Sequence, residues 1–137
     1  MRSINALLMQ AHHKTENDLY DFLYSRGWHH LARSKMQIYL CLASGITRSC
    51  DIAEALNITR QAVHQSVVEL AKLKYLALER STGDDRREKH LVNTEKGARL
   101  QQDVADGLAK IDANIAALIV DDFAAFGKSL SEICGSE

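Results

Sequence analysis

Proline is missing altogether from the 137 residues, so no helix need be kinked or ended by a pyrrolidine ring, and long helices are permitted. Metal-ligand spacings are missing as well. Cys41, Cys50 and Cys134 form no Cys-x-x-Cys pair, and the six histidines include no His-x-x-x-His. The adjacent pairs His12-His13 and His29-His30 would leave a helix in different directions, so no metal site is expected. There is no nucleophile elbow, phosphate loop, zinc-protease motif or carboxylate pair in a setting that needs one. That argues against an enzyme, and no cofactor is expected. No apolar run approaches the roughly 20 residues that cross a bilayer, and Met1-Arg2-Ser3-Ile4-Asn5 does not open as a signal peptide. The expectation is therefore a cytoplasmic protein without a membrane partner. Neither sign of charge dominates, the formal net charge being -1. Between Ile46 and Gly97, nine Lys/Arg stand against eight Asp/Glu (+1), and the remainder has eight against ten (-2). A nucleic acid, if bound, would be held by a few placed cations and not by a broad basic field.

What the chain does contain is concentrated between Thr47 and Gly97. A short helix, Asp51 to Leu56, comes before a tight turn at Asn57-Ile58, and Thr59 stands in position to cap a second helix through its hydroxyl. In that helix Ala62, Val63, Ser66, Val67, Leu70 and Leu73 recur at helical spacing and are assigned to a core. Arg60, Gln61, His64 and Gln65 remain on the other side of its first two turns. That face donates and accepts hydrogen bonds and carries no carboxylate, which suits base edges in a major groove. Any single residue of this kind is ordinarily solvated surface. Their grouping on one capped helix behind a short helix and a turn is what points to a helix-turn-helix.

The flanking segments are helical. Ile4 to Tyr24 carries an apolar stripe, with Gly27 as its C-cap, and residues 27–33 form a connector. Ser34 is the expected cap of a buried helix from Lys35 to Ala43, closed by Gly45. After the second helix of the pair the period changes to two. Leu76 to Arg80 reads as a strand, residues 81–85 as a turn and Arg86 to Val92 as the returning strand, before Thr94 caps another helix. From Ala98 to Ile133 the apolar residues recur every three or four positions. This is long amphipathic helix, with Asn114 and Gly127 as weak points and a break expected near Asp112 to Asn114. So much apolar stripe at both ends suits pairing with a second copy, or packing of the two ends on each other.

A helix-turn-helix, a two-stranded hairpin with a basic tip and long flanking helices, in this order, resemble the MarR family of winged helix-turn-helix transcriptional regulators. The resemblance rests on Asp51-Ile52-Ala53-x-x-Leu56-x-Ile58-Thr59-x-x-Ala62-Val63, on Asp85-Arg86-Arg87, and on Thr94-Glu95-Lys96-Gly97 seven residues after Arg87. It covers about fifty residues; the wing element combined with the Thr-x-x-Gly helix start is the more specific part. Three positions depart from the family pattern. Lys74 and Tyr75 occupy the place of a glycine at the end of the recognition helix, and Asn93 stands where the second wing strand commonly carries an apolar residue. Arg48 replaces the usual capping threonine, so Thr47 or Ser49 is expected to cap.

The resemblance implies a mainly α fold in one domain over 1–137. Residues 34–97 would be the DNA-binding core with a two-stranded β-wing, and 1–26 and 98–133 the dimerisation helices. It implies a homodimer on a pseudo-palindromic double-stranded operator, its half-sites on the order of 10 bp apart, and release by a small, often aromatic, effector. Thr59 then carries over as a phosphate-contacting cap, Arg60, Gln61, His64 and Gln65 as base-facing residues, Arg87 as the wing arginine and Asp85 as its orienting acid. Arg86 and Lys89 are phosphate neighbours. Family analogy places an aromatic effector near His12, Trp28, His29 and Tyr39. For a redox switch the candidate is Cys50, at a helix opening where the dipole favours thiolate, whereas Cys41 reads as core. The rival readings are a winged-helix protein-interaction module, suggested by near-neutral charge and Asp84-Asp85 at the wing tip, and a double-stranded RNA binder, which lacks any distinct signature.

Overall fold

The computed structural model describes residues 3–29, 31–80, 89–119 and 121–135, with backbone alone for 78–80, 89 and 90. Among the described residues, six helices and two strands follow one another: α1 (Ile4–Ser25), α2 (Arg33–Ala43), α3 (Ser49–Leu56), α4 (Arg60–Lys72), β1 (Leu76–Arg80), β2 (Lys89–Asn93), α5 (Glu95–Leu118) and α6 (Phe123–Cys134). The strands pair antiparallel, with Leu76 opposite Asn93 and Arg80 opposite Lys89. The fold is therefore mainly α, a winged helix-turn-helix with long flanking helices. The expected turn at 81–85 and the start of the second strand at 86–88 lie outside the described residues.

The helix ends follow from local chemistry. Ser3 caps α1 by accepting from the Ala6 amide (3.1 Å), and Gly27, one residue past the cap, takes a φ of +96°. Trp28 N–H then returns to the Leu23 carbonyl and Gly27 N–H to that of Tyr24, the paired closure that favours glycine. Gly45 (φ +85°) closes α2 in the same way, Ile46 N–H reaching Cys41 O and Gly45 N–H reaching Leu42 O. The recognition helix ends with the same two bonds, Tyr75 N–H to Leu70 O and Lys74 N–H to Ala71 O, but here Lys74 adopts the left-handed φ of +66°. The lysine thus performs a glycine's conformational role, at a steric cost of about 1 kcal/mol.

Several expectations are corrected. Ser34 is no cap, because α2 opens two residues earlier, from Ala32, without a side-chain bond. Neither Thr47 nor Ser49 caps α3; Arg48 stands at its cap position, and the Thr47 carbonyl is taken by Leu91 N–H of β2 (3.2 Å). Leu73 lies past the last turn of α4 and is exposed, not core. The long C-terminal helix begins at Glu95 and passes through 112–114 unbroken, stopping at Leu118. Its stop is explained by the next residues. Ile119 and Val120 are β-branched and disfavour helix, while Asp122 caps α6 by accepting from the Ala125 amide (3.1 Å). A single Asn within an exposed helical face is a weaker signal than these two together.

The core joins the second half of α1 (Leu19, Tyr20, Leu23), one side of α2, and Ile52, Val63, Val67 and Leu70 of the helix-turn-helix. Leu76 and Leu91 of the hairpin and Leu100 and Val104 of α5 complete it. Gly97 is what lets α5 approach. A Cβ there would lie 2.1 Å from the Tyr75 carbonyl oxygen and 2.7 Å from both Asn93 Oδ1 and the Tyr39 hydroxyl. That close contact is the physical content of the Thr-x-x-Gly start, since Thr94 in the same turn donates its amide to Tyr75 O (3.0 Å) and shares its hydroxyl proton between Lys74 O (2.6 Å) and Tyr75 O (3.0 Å). Asn93, polar where the strand would favour an apolar residue, gives its amide N–H to Gln101, which in turn donates to Leu42 O (3.3 Å). Helix α6 has no buried residue, and Phe123, Phe126 and Ile133 are exposed along it.

Candidate nucleic-acid interface

Recognition helix α4 is fixed from below and left free above. Val63, Val67 and Leu70 are buried, while Arg60, Gln61, His64 and Gln65 are all exposed on its opposite face. Thr59 opens the helix by accepting the Ala62 amide through its hydroxyl (3.0 Å). Asn57, in the left-handed conformation (φ +53°), ends α3 and turns the chain back so that the two helices pack. The first two turns thus present one guanidinium, two amides and one imidazole, with no acid before Glu69. Such a face offers the donors and acceptors that purine edges require.

Glu69 is not a free negative charge. Lys35 of α2, only 15% exposed, places Nζ 2.5 Å from the Glu69 carboxylate. This ion pair holds Glu69 below the usual carboxylate range, Gln65 and Lys72 assisting. Sequence reasoning missed the pair, because nothing in the spacing of Lys35 and Glu69 relates two different helices.

Of the expected wing contacts, Asp85, Arg86 and Arg87 lie outside the described residues; Lys89 lies on β2, opposite Arg80. The four expected effector residues stand on α1 (His12), on the connector to α2 (Trp28, His29) and on α2 (Tyr39). His12 is exposed on α1 and lies 3.5 Å from Glu16. Trp28 donates from Nε1 to Asp103 of α5 (2.8 Å), and His29 stacks on Tyr24 with ring centroids 5.9 Å apart. Tyr39 is fully buried, its hydroxyl donating to Tyr75 O (3.3 Å), and burial raises its pKa above the ordinary phenol value. Trp28 and Tyr39 both lie against Tyr75, whose ring centroid is 6.0 and 6.3 Å from theirs. A separate groove of about 440 Å³ runs between α1 and α5, over Phe22 and Gly107 and between Lys14, Asp18, Asp21 and Lys110.

Cys50 is half-buried at the start of α3, its thiol donating towards the Asp51 carboxylate at 3.8 Å. Cys41 is buried, which raises its thiol above the ordinary value, and Cys134 is exposed on α6. Among the described residues no three of His, Cys, Asp and Glu are grouped to hold a metal ion, and no helix is long and apolar enough to cross a membrane.

The segment that builds this face also matches by sequence, since residues 41–87 fit the model of the MarR family. Over that stretch the chain is similar to the MarR family. Solved structures extend the likeness to its full length. NadR, in complex with 4-hydroxyphenylacetate, is 21% identical, with a TM-score of 0.77 over 100% of this chain and 96% of its own. MepR of S. aureus, in complex with DNA, is 15% identical with a TM-score of 0.75 over 98% of each chain. BpsR of Bordetella bronchiseptica, whose DNA binding is regulated by 6-hydroxynicotinic acid, is 16% identical with a TM-score of 0.72 over 99% and 96%. At these identities the likeness is one of fold. Compared by sequence with curated proteins, the chain matches none.

Proposed function

We propose that this chain is a regulator of the MarR family, sequence-specific, that binds a pseudo-palindromic operator as a homodimer and is released by a small aromatic effector. The observation that carries the reading is the exposed, capped and carboxylate-free start of α4. Thr59 contacts a phosphate there, and Arg60, Gln61, His64 and Gln65 reach base edges, Arg to guanine and Gln to adenine. The wing adds Arg87, oriented by Asp85, with Arg86 and Lys89 on neighbouring phosphates. Pairing is supported by the apolar residues left uncovered on the terminal helices: Ile4 and Leu7 on α1, Leu118 on α5, and Phe123, Phe126 and Ile133 on α6. Two-fold pairing sets the half-sites about one helical turn apart, on the order of 10 bp.

An aromatic effector is suggested by the ligands of NadR and BpsR. Among the residues expected to meet it, Trp28 and His29 sit on the connector between α1 and α2 and retain exposure, with His12 further along α1. Tyr39 would act from the core, through Tyr75. The test is selection of bound DNA from a random pool, repeated with 4-hydroxyphenylacetate present. A two-fold sequence should emerge and its recovery should fall with the acid. Absence of any DNA affinity at low salt would leave a protein-interaction module in its place.

A further inference from the structure

Each member of the Lys35–Glu69 ion pair stands at the unfavourable end of its own helix. Lys35 lies in the first turn of α2, where the helix dipole disfavours a cation, and Glu69 in the last turn of α4, where it disfavours an anion. Neither helix gains from its charge; what the two charges gain is the 2.5 Å contact across the helices. The pair is anchored from the core side, the Lys35 side chain being 15% exposed and that of Glu69 43%. Glu69 is the one carboxylate of α4, against two permanent cations, Arg60 and Lys72. It stands four residues past Gln65, about 6 Å along the helix. A phosphate met beside Gln65 is then within the Debye length of about 10 Å at 0.1 M salt.

We propose that Lys35 screens Glu69 from the DNA backbone and so belongs to the nucleic-acid interface without touching the duplex. This rests on the DNA-binding reading above. Unscreened, the carboxylate would offset one of the two cations that α4 supplies. In a chain of net charge -1, where a few placed cations hold the duplex, one such charge is a large share. Screening from α2 also leaves the exposed side of α4 to hydrogen-bonding side chains, in place of the lysine that would otherwise have to stand there. Lys35 is a positioning residue, acting on the duplex through Glu69.

The test titrates the full chain with a labelled mixed-sequence duplex between about 50 and 200 mM salt. Lys35→Met should weaken binding several-fold and make the slope of log affinity against log salt shallower by about 0.9, the share of one charge. Glu69→Gln, which frees the ammonium, should tighten binding and steepen the slope by as much. The double variant Lys35→Met/Glu69→Gln should bind as wild type does, with the same slope. Lys14→Met removes the same charge from an ion pair on α1 (2.7 Å) and should leave the slope unchanged. Circular dichroism checks that each variant folds. If Lys35→Met does not, Glu69→Gln decides alone: tighter binding supports the screening, and equal or weaker binding refutes it. Unchanged binding in Lys35→Met, a double variant as weak as Lys35→Met, or an equal loss from Lys14→Met would overturn the inference. Wild type without affinity for the duplex at low salt would instead overturn the DNA-binding reading on which it rests.

Discussion

Replacing Gly97 by alanine should be among the most damaging single-methyl changes available in this chain. The new Cβ would stand 2.1 Å from the Tyr75 carbonyl oxygen, a backbone atom, and 2.7 Å from Asn93 Oδ1 and the Tyr39 hydroxyl. A flexible side chain would swing aside, but this carbonyl must retreat by more than 1 Å to regain ordinary contact, and it accepts three bonds. They come from the Thr94 amide (3.0 Å), the Thr94 hydroxyl (3.0 Å) and the Tyr39 hydroxyl (3.3 Å). Losing two of them costs about 2 kcal/mol, and overpacking adds about 1 to 3 kcal/mol. Alanine's better helix propensity returns about 1 kcal/mol, leaving a net loss of about 3 kcal/mol. Urea unfolding followed by circular dichroism reads this directly. Gly127→Ala is the internal control. Its Cβ meets nothing within 4 Å in the middle of α6, so a gain of about 0.5 to 1 kcal/mol is expected. A Gly97→Ala variant less than about 1 kcal/mol below wild type would refute the packing of α5 against the end of the recognition helix.

Other expectations follow from the same structure. Lys74→Gly should raise stability by about 1 kcal/mol in the same urea assay, because glycine adopts the left-handed conformation (φ +66°) without a Cβ penalty. Thr59→Ala should cost about 1 kcal/mol through loss of the Ala62 cap, and should also weaken binding to the selected duplex. Phe126→Glu, on the uncovered face of α6, should yield monomer by sedimentation velocity while far-ultraviolet dichroism stays that of a folded helical protein. Burial raises the hydroxyl pKa of Tyr20 and Tyr39 above the ordinary value near 10. The folded state therefore holds those protons longer than the unfolded one. Their contribution is complete below about pH 10 and is lost as pH rises further, so both should ionise only with unfolding in a 295 nm titration.

Much of this architecture was legible because local signals agreed. Thr59 before an apolar repeat, the change of period at Leu76 and Thr94 before Glu95 each name a boundary, and the caps and strands stand where those residues put them. The break between α5 and α6 lies past Asn114 because a polar residue on an exposed face ends a helix less firmly than a β-branched pair followed by the capping Asp122. Lys74 shows another limit. The left-handed turn at the end of α4 is imposed by burial of Tyr75 and by the Thr94 bonds, so it forms without the glycine that would announce it. At the interface, exposure of Arg60, Gln61, His64 and Gln65 follows from helical period alone. The Lys35–Glu69 pair and the Trp28–Asp103 bond join distant segments, and only the packed structure relates them.

Hydroxyl-radical footprinting of the selected duplex tests the central claim most directly. Two recognition helices carried by one symmetric pair should protect two segments centred about 10 bp apart, related by two-fold symmetry, with protection lost in the Phe126→Glu monomer. One unpaired segment of protection, or an unchanged footprint from the monomeric variant, would contradict it.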